Sequence, residues 1–228
     1  MRKIAGFCML ILLSWTTLIL AQTEGISVSF VPVFGENSLE LEKYYPISEN
    51  DSVMIEGFKW YISQVALLQN GESVWEEPKS YHLLEVEKEN TLAFSLPVPP
   101  GLVFNQLRFS LGIDSLTNVS GAMGGDLDPS RGMYWTWQSG YINLKLEGRS
   151  NLCQNRNHEF GFHLGGYDLE NNALQTLVLP VNEGRKIAIR ADIQPFLSNI
   201  NLTKQAQTMS PGKEAVLLSQ KAKTIFGQ

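Results

Sequence analysis

The stretch Gly132-Met-Tyr-Trp-Thr-Trp-Gln-Ser-Gly-Tyr-Ile-Asn-Leu-Lys-Leu-Glu-Gly148 decides the fold class. Its second half alternates apolar and polar residues, which is typical of a strand with one face in a core. In its first half, strand periodicity predicts that Trp135 and Trp137 share a face, with Gly140 as a bulge between the two halves. The stretch therefore predicts a β protein in which one strand bears two neighbouring indoles.

These two tryptophans have two interpretations. Large aromatic side chains are favoured in strands and cores, so packing alone explains Trp135 and Trp137. A buried strand, however, usually has Val, Ile and Leu at its inward positions, whereas this one presents Trp, Thr, Gln and Ser together. That composition keeps a functional site open beside the structural interpretation.

Alternation elsewhere predicts further strands, bounded by turn signals. The predicted strands span residues 26–34, 53–69, 81–86, 91–96, 104–112, 159–164, 174–179 and 186–193. Pro32 favours an edge position or a strand end, and Asn70-Gly71 predicts a tight turn. Ser210-Pro211 precedes a predicted helix over 215–226. The pattern indicates an all-β fold, an immunoglobulin-like antiparallel β-sandwich with long loops and a short C-terminal helix.

The N-terminal residues form a separate unit. Arg2 and Lys3 precede a largely apolar run that ends at the small residue Ala21, as in a secretory signal peptide. No positive charges follow the run, which disfavours a membrane anchor. We therefore expect a signal peptide over 1–21, a single domain over 22–228, and a periplasmic or otherwise exported protein without stable membrane insertion.

Charge and cysteine content narrow the partners and the chemistry. The net charge of −5 disfavours binding to phosphate backbones, so we expect no nucleic-acid partner. After removal of the predicted signal peptide only Cys153 remains, so no intrachain disulfide can form. Without a CxxC pair or a histidine at zinc spacing, Cys153 is interpreted as an inert thiol rather than a soft metal ligand.

The sequence lacks the motifs of common enzyme classes. There is no GxSxG elbow, phosphate loop or HExxH, so no enzyme activity is predicted. The polar loop over 113–131 contains Asp114, Asp126 and Asp128, whose carboxylates are candidate Ca²⁺ ligands, although Asx-turns explain the same residues. A hydrolase acting through these carboxylates is a further alternative, but no activating group accompanies them.

His163 is a candidate site residue. It lies near a predicted strand end beside Gly165 and Gly166, where an ion or a small ligand can approach. Imidazole is a common metal ligand, but it is equally an ordinary hydrogen-bonding group of a half-buried strand. From the residues alone, both interpretations stay open.

Several segments together resemble the MbnP-like family, periplasmic β-sandwich proteins related to methanobactin-associated and methanotroph copper-binding proteins. These segments are Leu111-Gly-Ile-Asp114, Gly125-Asp-Leu-Asp-Pro129, Gly132-Met-Tyr-Trp-Thr-Trp-Gln-Ser-Gly-Tyr141, Lys145-Leu-Glu-Gly148 and Phe162-His-Leu-Gly165. The resemblance implies binding of Cu(I) through histidine and a tryptophan oxidised to kynurenine by a di-haem peroxidase of the MauG type. It implies His163 as the imidazole ligand and Trp135 or Trp137 as the modified residue, with Trp135 preferred because it lies deeper before Gly140.

One position departs from the family pattern. The resemblance implies a second histidine shortly before the last helix, where this chain has Gln205 and Gln207. Met209 is the candidate soft thioether ligand in that segment. The alternative from a different class is a noncatalytic binding or structural module of the cell envelope without a metal.

Overall fold

The computed structural model describes residues 25–182 and 184–227 of the protein. The predicted signal peptide over 1–21 lies outside the described residues, and the single domain over 22–228 stays a prediction. Across the described ranges, no helix is long and apolar enough to cross a membrane.

Strands outnumber α-helices in the described chain, and the strand over Ser52–Gln69 is the longest of them. The strands are β1 (Ile26–Phe34), β2 (Asn37–Ser38), β3 (Tyr44–Pro46), β4 (Ser52–Gln69), β5 (Glu72–Glu76), β6 (Tyr81–Glu85), β7 (Ala93–Leu96), β8 (Gln106–Leu111), β9 (Tyr134–Trp135), β10 (Gly140–Ser150), β11 (Glu159–Gly165), β12 (Gln175–Pro180), β13 (Lys186–Asp192), β14 (Gln207–Thr208) and β15 (Phe226–Gly227). The α-helices are α1 (Ser115–Val119), α2 (Ile193–Ser198) and α3 (Lys213–Ala222).

The strands form two mixed sheets. The smaller has the order β15-β13-β1-β2 with β7 also on β1, and the larger has the path β12-β8-β4-β10-β11-β14 with β3, β5 and β6 also on β4. Each sheet contains a parallel pair, β1 with β13 and β11 with β14. Parallel pairing needs a long crossover, which the chain supplies by building most of the larger sheet between β1 and β13. The mostly β fold is confirmed, and the C-terminal helix exists but spans Lys213–Ala222 rather than 215–226. In residues 25–182 and 184–227 the sheets are mixed rather than antiparallel, and no immunoglobulin-like sandwich is seen.

Pro32 lies close to the end of a central strand, so the predicted edge position is wrong and the predicted strand end is the nearer of the two alternatives. Strand β1 has β13 on one side and two short partners on the other. One of these, β7, pairs with residues 26–29, and the other, β2, pairs with residues 33–34. Pro32 falls in the gap between them, where a residue without an N–H costs no ladder hydrogen bond.

Strand β4 organises the larger sheet, because successive parts of it pair with β3, β6 and β5 along one chain. Its end was predicted correctly. Asn70 and Gly71 both have positive φ, 52° and 89°, and they connect β4 to β5 in the predicted tight turn. The strand also bends at Gln64, which has φ of 52°.

The main core lies between the sheets and the C-terminal helices. It combines buried side chains of both sheets with α2 and α3. Among its largest fully buried members are Trp60, Phe58, Phe109, Phe162 and Phe196. Because successive residues of a strand point to opposite faces, the side chains on the other face of the larger sheet lie outside this core.

A second apolar cluster covers part of that other face, which we call the outer face of the larger sheet. The segment over 113–139 folds onto the sheet there. The cluster contains four side chains of this segment and four of the strands: Ile113, Leu127, Met133 and Trp135 from the segment, and Tyr61, Leu83, Tyr141 and Ile142 from the strands. The long loop is therefore packed on the sheet by its own apolar residues.

The aromatic stretch forms a hairpin rather than one continuous strand. Strand β9 pairs antiparallel with the start of β10, and the chain reverses at Ser139, which has φ of 53°. The prediction that Trp135 and Trp137 share one strand face is therefore wrong, because Trp137 lies in the turn. Trp135 is 6% exposed and Trp137 is 65% exposed, while their ring centroids stay 6.2 Å apart.

Candidate metal site

Strand β11 presents a row of three residues on the outer face of the larger sheet. Its other three central residues, Phe160, Phe162 and Leu164, belong to the main core. Strand alternation therefore places Gly161, His163 and Gly165 on the outer face. These three are spaced roughly 7 Å apart in an extended chain.

Side chains from outside β11 occupy the space above the two glycines. A Cβ atom added at Gly161 would lie 3.2 Å from Sδ of Met209, and one added at Gly165 would lie 2.7 Å from Cζ3 of Trp135. His163 is thus flanked along the strand by a thioether on one side and an indole on the other. The structure brings together three of the four predicted site residues, with Trp137 beside Trp135 but at the surface.

His163 is held by a carboxylate on the neighbouring strand. The residue is 8% exposed, and its Nε2 lies 2.8 Å from Oε1 of Glu147. The hydrogen bond from His163 lowers the pKa of Glu147 despite the opposing effect of partial burial, and the ammonium of Lys145 lowers it further. Glu147 is therefore an ionised acceptor at neutral pH, so Nε2 must donate. In the neutral imidazole, the form that binds a metal ion, donation from Nε2 places the free lone pair on Nδ1.

A cavity of about 240 Å³ adjoins this row. Its lining includes Glu56, Glu87, Glu147, Glu159, Gly161, Gln207 and Met209. Each of the four carboxylates pairs with a lysine or an arginine, so ion pairs rather than free negative charges surround the opening. Gln207 borders this cavity in the segment where the resemblance implies a second histidine, so that segment does lie beside His163.

The glycine under Trp135 gives a test of this packing. We expect Gly165→Ala to lower the free energy of unfolding by about 1–3 kcal/mol, as overpacking does. The new methyl group would meet Cζ3 of Trp135 at 2.7 Å and the carbonyl oxygen of Tyr141 at 2.6 Å, and a backbone carbonyl cannot rotate away. Urea unfolding measures the loss, and the fluorescence of Trp135 should report its displacement.

The matched control is Gly124→Ala, in the segment that covers the same face. A Cβ atom at Gly124 would meet nothing within 4 Å. This variant should unfold at the wild-type urea concentration. Equal stability of the two variants would contradict the close contact between Trp135 and β11.

The aspartates of the 113–131 loop are structural. Asp114 caps α1 by accepting from the backbone N–H of Thr117, and Asp128 accepts from the N–H of Ser130. Asp126 accepts from the N–H of Leu83 on β6. No three His, Cys, Asp or Glu side chains meet as a metal site anywhere in residues 25–182 and 184–227. The predicted Ca²⁺ site in this loop therefore has no support.

Cys153 is buried and free. Burial raises the pKa of its thiol, which disfavours the thiolate that metals and electrophiles need. Its position supports the interpretation as an inert core thiol.

Glu147 and Gly161 were not singled out from the sequence. Glu147 pairs across the sheet with Gly161, while Lys145 pairs with His163. A signal for Glu147 existed in the alternation of β10, which places it on the polar face, but only the register between β10 and β11 brings it to His163.

Comparisons with known proteins identify the family and the fold of the chain. The family model MbnP matches residues 23–210. The solved structure of MbnP from Methylosinus trichosporium superimposes with a TM-score of 0.64 at 13% identity, covering 85% of this chain and 86% of that one. At that identity the likeness shows a shared fold. No curated protein sequence matches the chain.

Proposed function

Because the chain belongs to the MbnP family, we propose that it binds copper on the outer face of β11. Members of this family are in general copper-binding proteins of methanobactin systems rather than known enzymes. The observation that supports this most is the position of His163 between Met209 and Trp135, with Glu147 on its Nε2. Imidazole and thioether are both copper ligands, and a thioether favours Cu(I). The donors present therefore fit copper in its reduced state.

In this proposal His163 supplies the imidazole through Nδ1, and Met209 supplies the soft donor in the segment without a second histidine. Met209 is 44% exposed, so its flexible side chain has room to turn toward a metal ion. Trp135 is the residue oxidised to kynurenine, whose aniline nitrogen would complete the donor set. A di-haem peroxidase of the MauG type is the proposed modifying partner, and the protein acts outside the cytoplasm after removal of residues 1–21.

Glu147 is the positioning residue of the proposed site. A carboxylate that accepts from a histidine N–H fixes the tautomer and the ring orientation, and loss of such a partner typically costs about 10–100-fold in metal affinity. We expect Glu147→Gln to weaken Cu(I) binding within that range, because an amide is a weaker acceptor and imposes no tautomer. Competition with a chromophoric Cu(I) chelator under anaerobic conditions measures the affinity.

The control is Glu56→Gln, which removes the same charge from the same cavity. Glu56 pairs with Arg149 at 2.8 Å rather than with His163. Its affinity for Cu(I) should stay near that of the wild type. Equal losses in both variants would mean that the charge of the cavity, and not the orientation of His163, determines binding. Absence of stoichiometric binding by the wild type would favour the metal-free envelope module instead.

A further inference from the structure

The two neighbouring tryptophans differ sharply in their access to solvent. Trp135 is packed on Gly165 inside the second apolar cluster, whereas Trp137 projects from the hairpin turn. Their exposed fractions are 6% and 65%, and their ring centroids are 6.2 Å apart with planes tilted by 56°. An indole is among the side chains that lose an electron most readily. Electron transfer between π systems weakens steeply with separation, so this spacing favours fast exchange within the pair.

We propose that Trp137 is an electron relay, through which an oxidant that stays at the surface oxidises the buried Trp135. An oxidant of the required class accepts one electron at high potential, as a high-valent haem or a ruthenium(III) complex does. It takes one electron from Trp137 and is itself reduced by one electron. The oxidised Trp137 then takes an electron from Trp135. Trp135 becomes the radical cation and releases its indole proton to water. Each pass removes one electron and one proton from Trp135 and leaves Trp137 unchanged.

The surroundings of Trp135 favour a radical that stays there. The nearby hydroxyl groups of Tyr61 and Tyr141 donate to backbone carbonyls, of Asp126 at 2.8 Å and of Leu127 at 3.0 Å. A tyrosine gives up an electron readily only when its proton has a base to go to, and a carbonyl oxygen is not one. Burial also raises the pKa of both tyrosines.

Trp60 provides an internal comparison for the relay. It is completely buried, and the aromatic rings around it are Phe30, Phe58 and Phe226. Benzene rings are much harder to oxidise than indole, so they do not pass an electron from Trp60 to the surface. Among the described residues, one buried indole thus has a tryptophan leading outward and one has none.

The proposal rests on the proposed function only in naming Trp135 as the modified residue, and it is tested on the copper-free, unmodified protein. All variants contain Trp75→Phe, so the indoles left in residues 22–228 are Trp60, Trp135 and Trp137. Tris(bipyridine)ruthenium(III), generated by light with a cobalt(III) quencher, is the surface oxidant. Transient absorption and electron paramagnetic resonance detect the tryptophan radical.

We expect the parent protein to form a long-lived radical that is lost in Trp137→Phe and replaced by a short-lived one in Trp135→Phe. Trp60→Phe should leave the signal unchanged. Trp137→Phe should keep the fold because the side chain is mostly exposed. An undiminished long-lived radical in Trp137→Phe, or one that disappears in Trp60→Phe, would overturn the relay. Failure of copper binding would leave this result untouched, and failure of the relay would leave the Cu(I) affinity untouched.

Discussion

Replacement of Glu85 by alanine is expected to lower the free energy of unfolding by about 3–5 kcal/mol, as the breaking of a buried ion pair does. The Glu85 side chain is completely buried at the end of β6. It accepts from Lys59 at 2.9 Å, from Lys88 at 3.1 Å and from Arg131 through two nitrogens. Alanine would leave these three cations together without their shared anion. Urea unfolding at pH 7 measures the loss.

The same residue predicts a dependence on pH. Burial alone would raise the pKa of Glu85, but hydrogen bonds from Lys59, Arg131 and Lys88 outweigh it and lower the pKa from 4.5 to about 2. Because the folded state binds this proton less tightly than the unfolded chain does, the stabilisation is complete above pH 4.5. It is lost as the pH falls from 4.5 toward 2. The stability difference between wild type and Glu85→Ala should therefore shrink across that range.

Glu76→Ala is the control for both measurements. Glu76 pairs with Arg108 at 2.8 Å, but its side chain is 64% exposed, and exposed ion pairs contribute little. It should unfold close to the wild-type urea concentration. Equal stability of Glu85→Ala and Glu76→Ala would contradict a stabilising role for the buried contacts of Glu85 with its three cations.

Local patterns in the sequence predicted the strands well, because alternation and turn chemistry act over a few residues. The turn at Asn70 and Gly71 and the helix after Pro211 are examples. The prediction for the aromatic stretch was wrong for a related reason. Gly140 was interpreted as a bulge within one strand, but Ser139 adopts a positive φ just before it and the chain reverses. A hairpin and a bulged strand share the same alternating pattern, so periodicity does not separate them.

The site depends on pairings between distant parts of the chain. His163 was identified from its place near a strand end and its glycine neighbours, but its partner Glu147 follows from the register of β10 against β11. The contact of Glu85 with Arg131 is even less predictable from local sequence, because it joins residues 46 positions apart with no shared motif. The parallel pairing of β14 with β11, which brings Met209 to Gly161, has no local signature either. The sequence identified candidate donors, and the topology determined which of them lie on one face.

Replacement of His163 by alanine is expected to abolish stoichiometric Cu(I) binding. In the proposed site His163 is the one imidazole, and Met209 and a modified Trp135 are each weak donors without it. The variant should still fold, because Glu147 keeps Lys145 as a partner at 3.4 Å after the imidazole is removed. Anaerobic chelator competition measures the affinity, and thermal unfolding checks the fold.

His158→Ala separates this effect from the general loss of an imidazole. His158 is exposed and lies just before β11, where its Nδ1 is 2.7 Å from the carbonyl oxygen of Cys153, so its ring has a hydrogen-bond partner of its own. Its removal should leave Cu(I) affinity at the wild-type value. Unchanged affinity in His163→Ala would refute the proposed site, because no other imidazole faces Met209 and Trp135 along β11. A loss of Cu(I) affinity in His163→Ala but not in His158→Ala would assign the metal to the outer face of the larger sheet, where Glu147 holds the ring of His163.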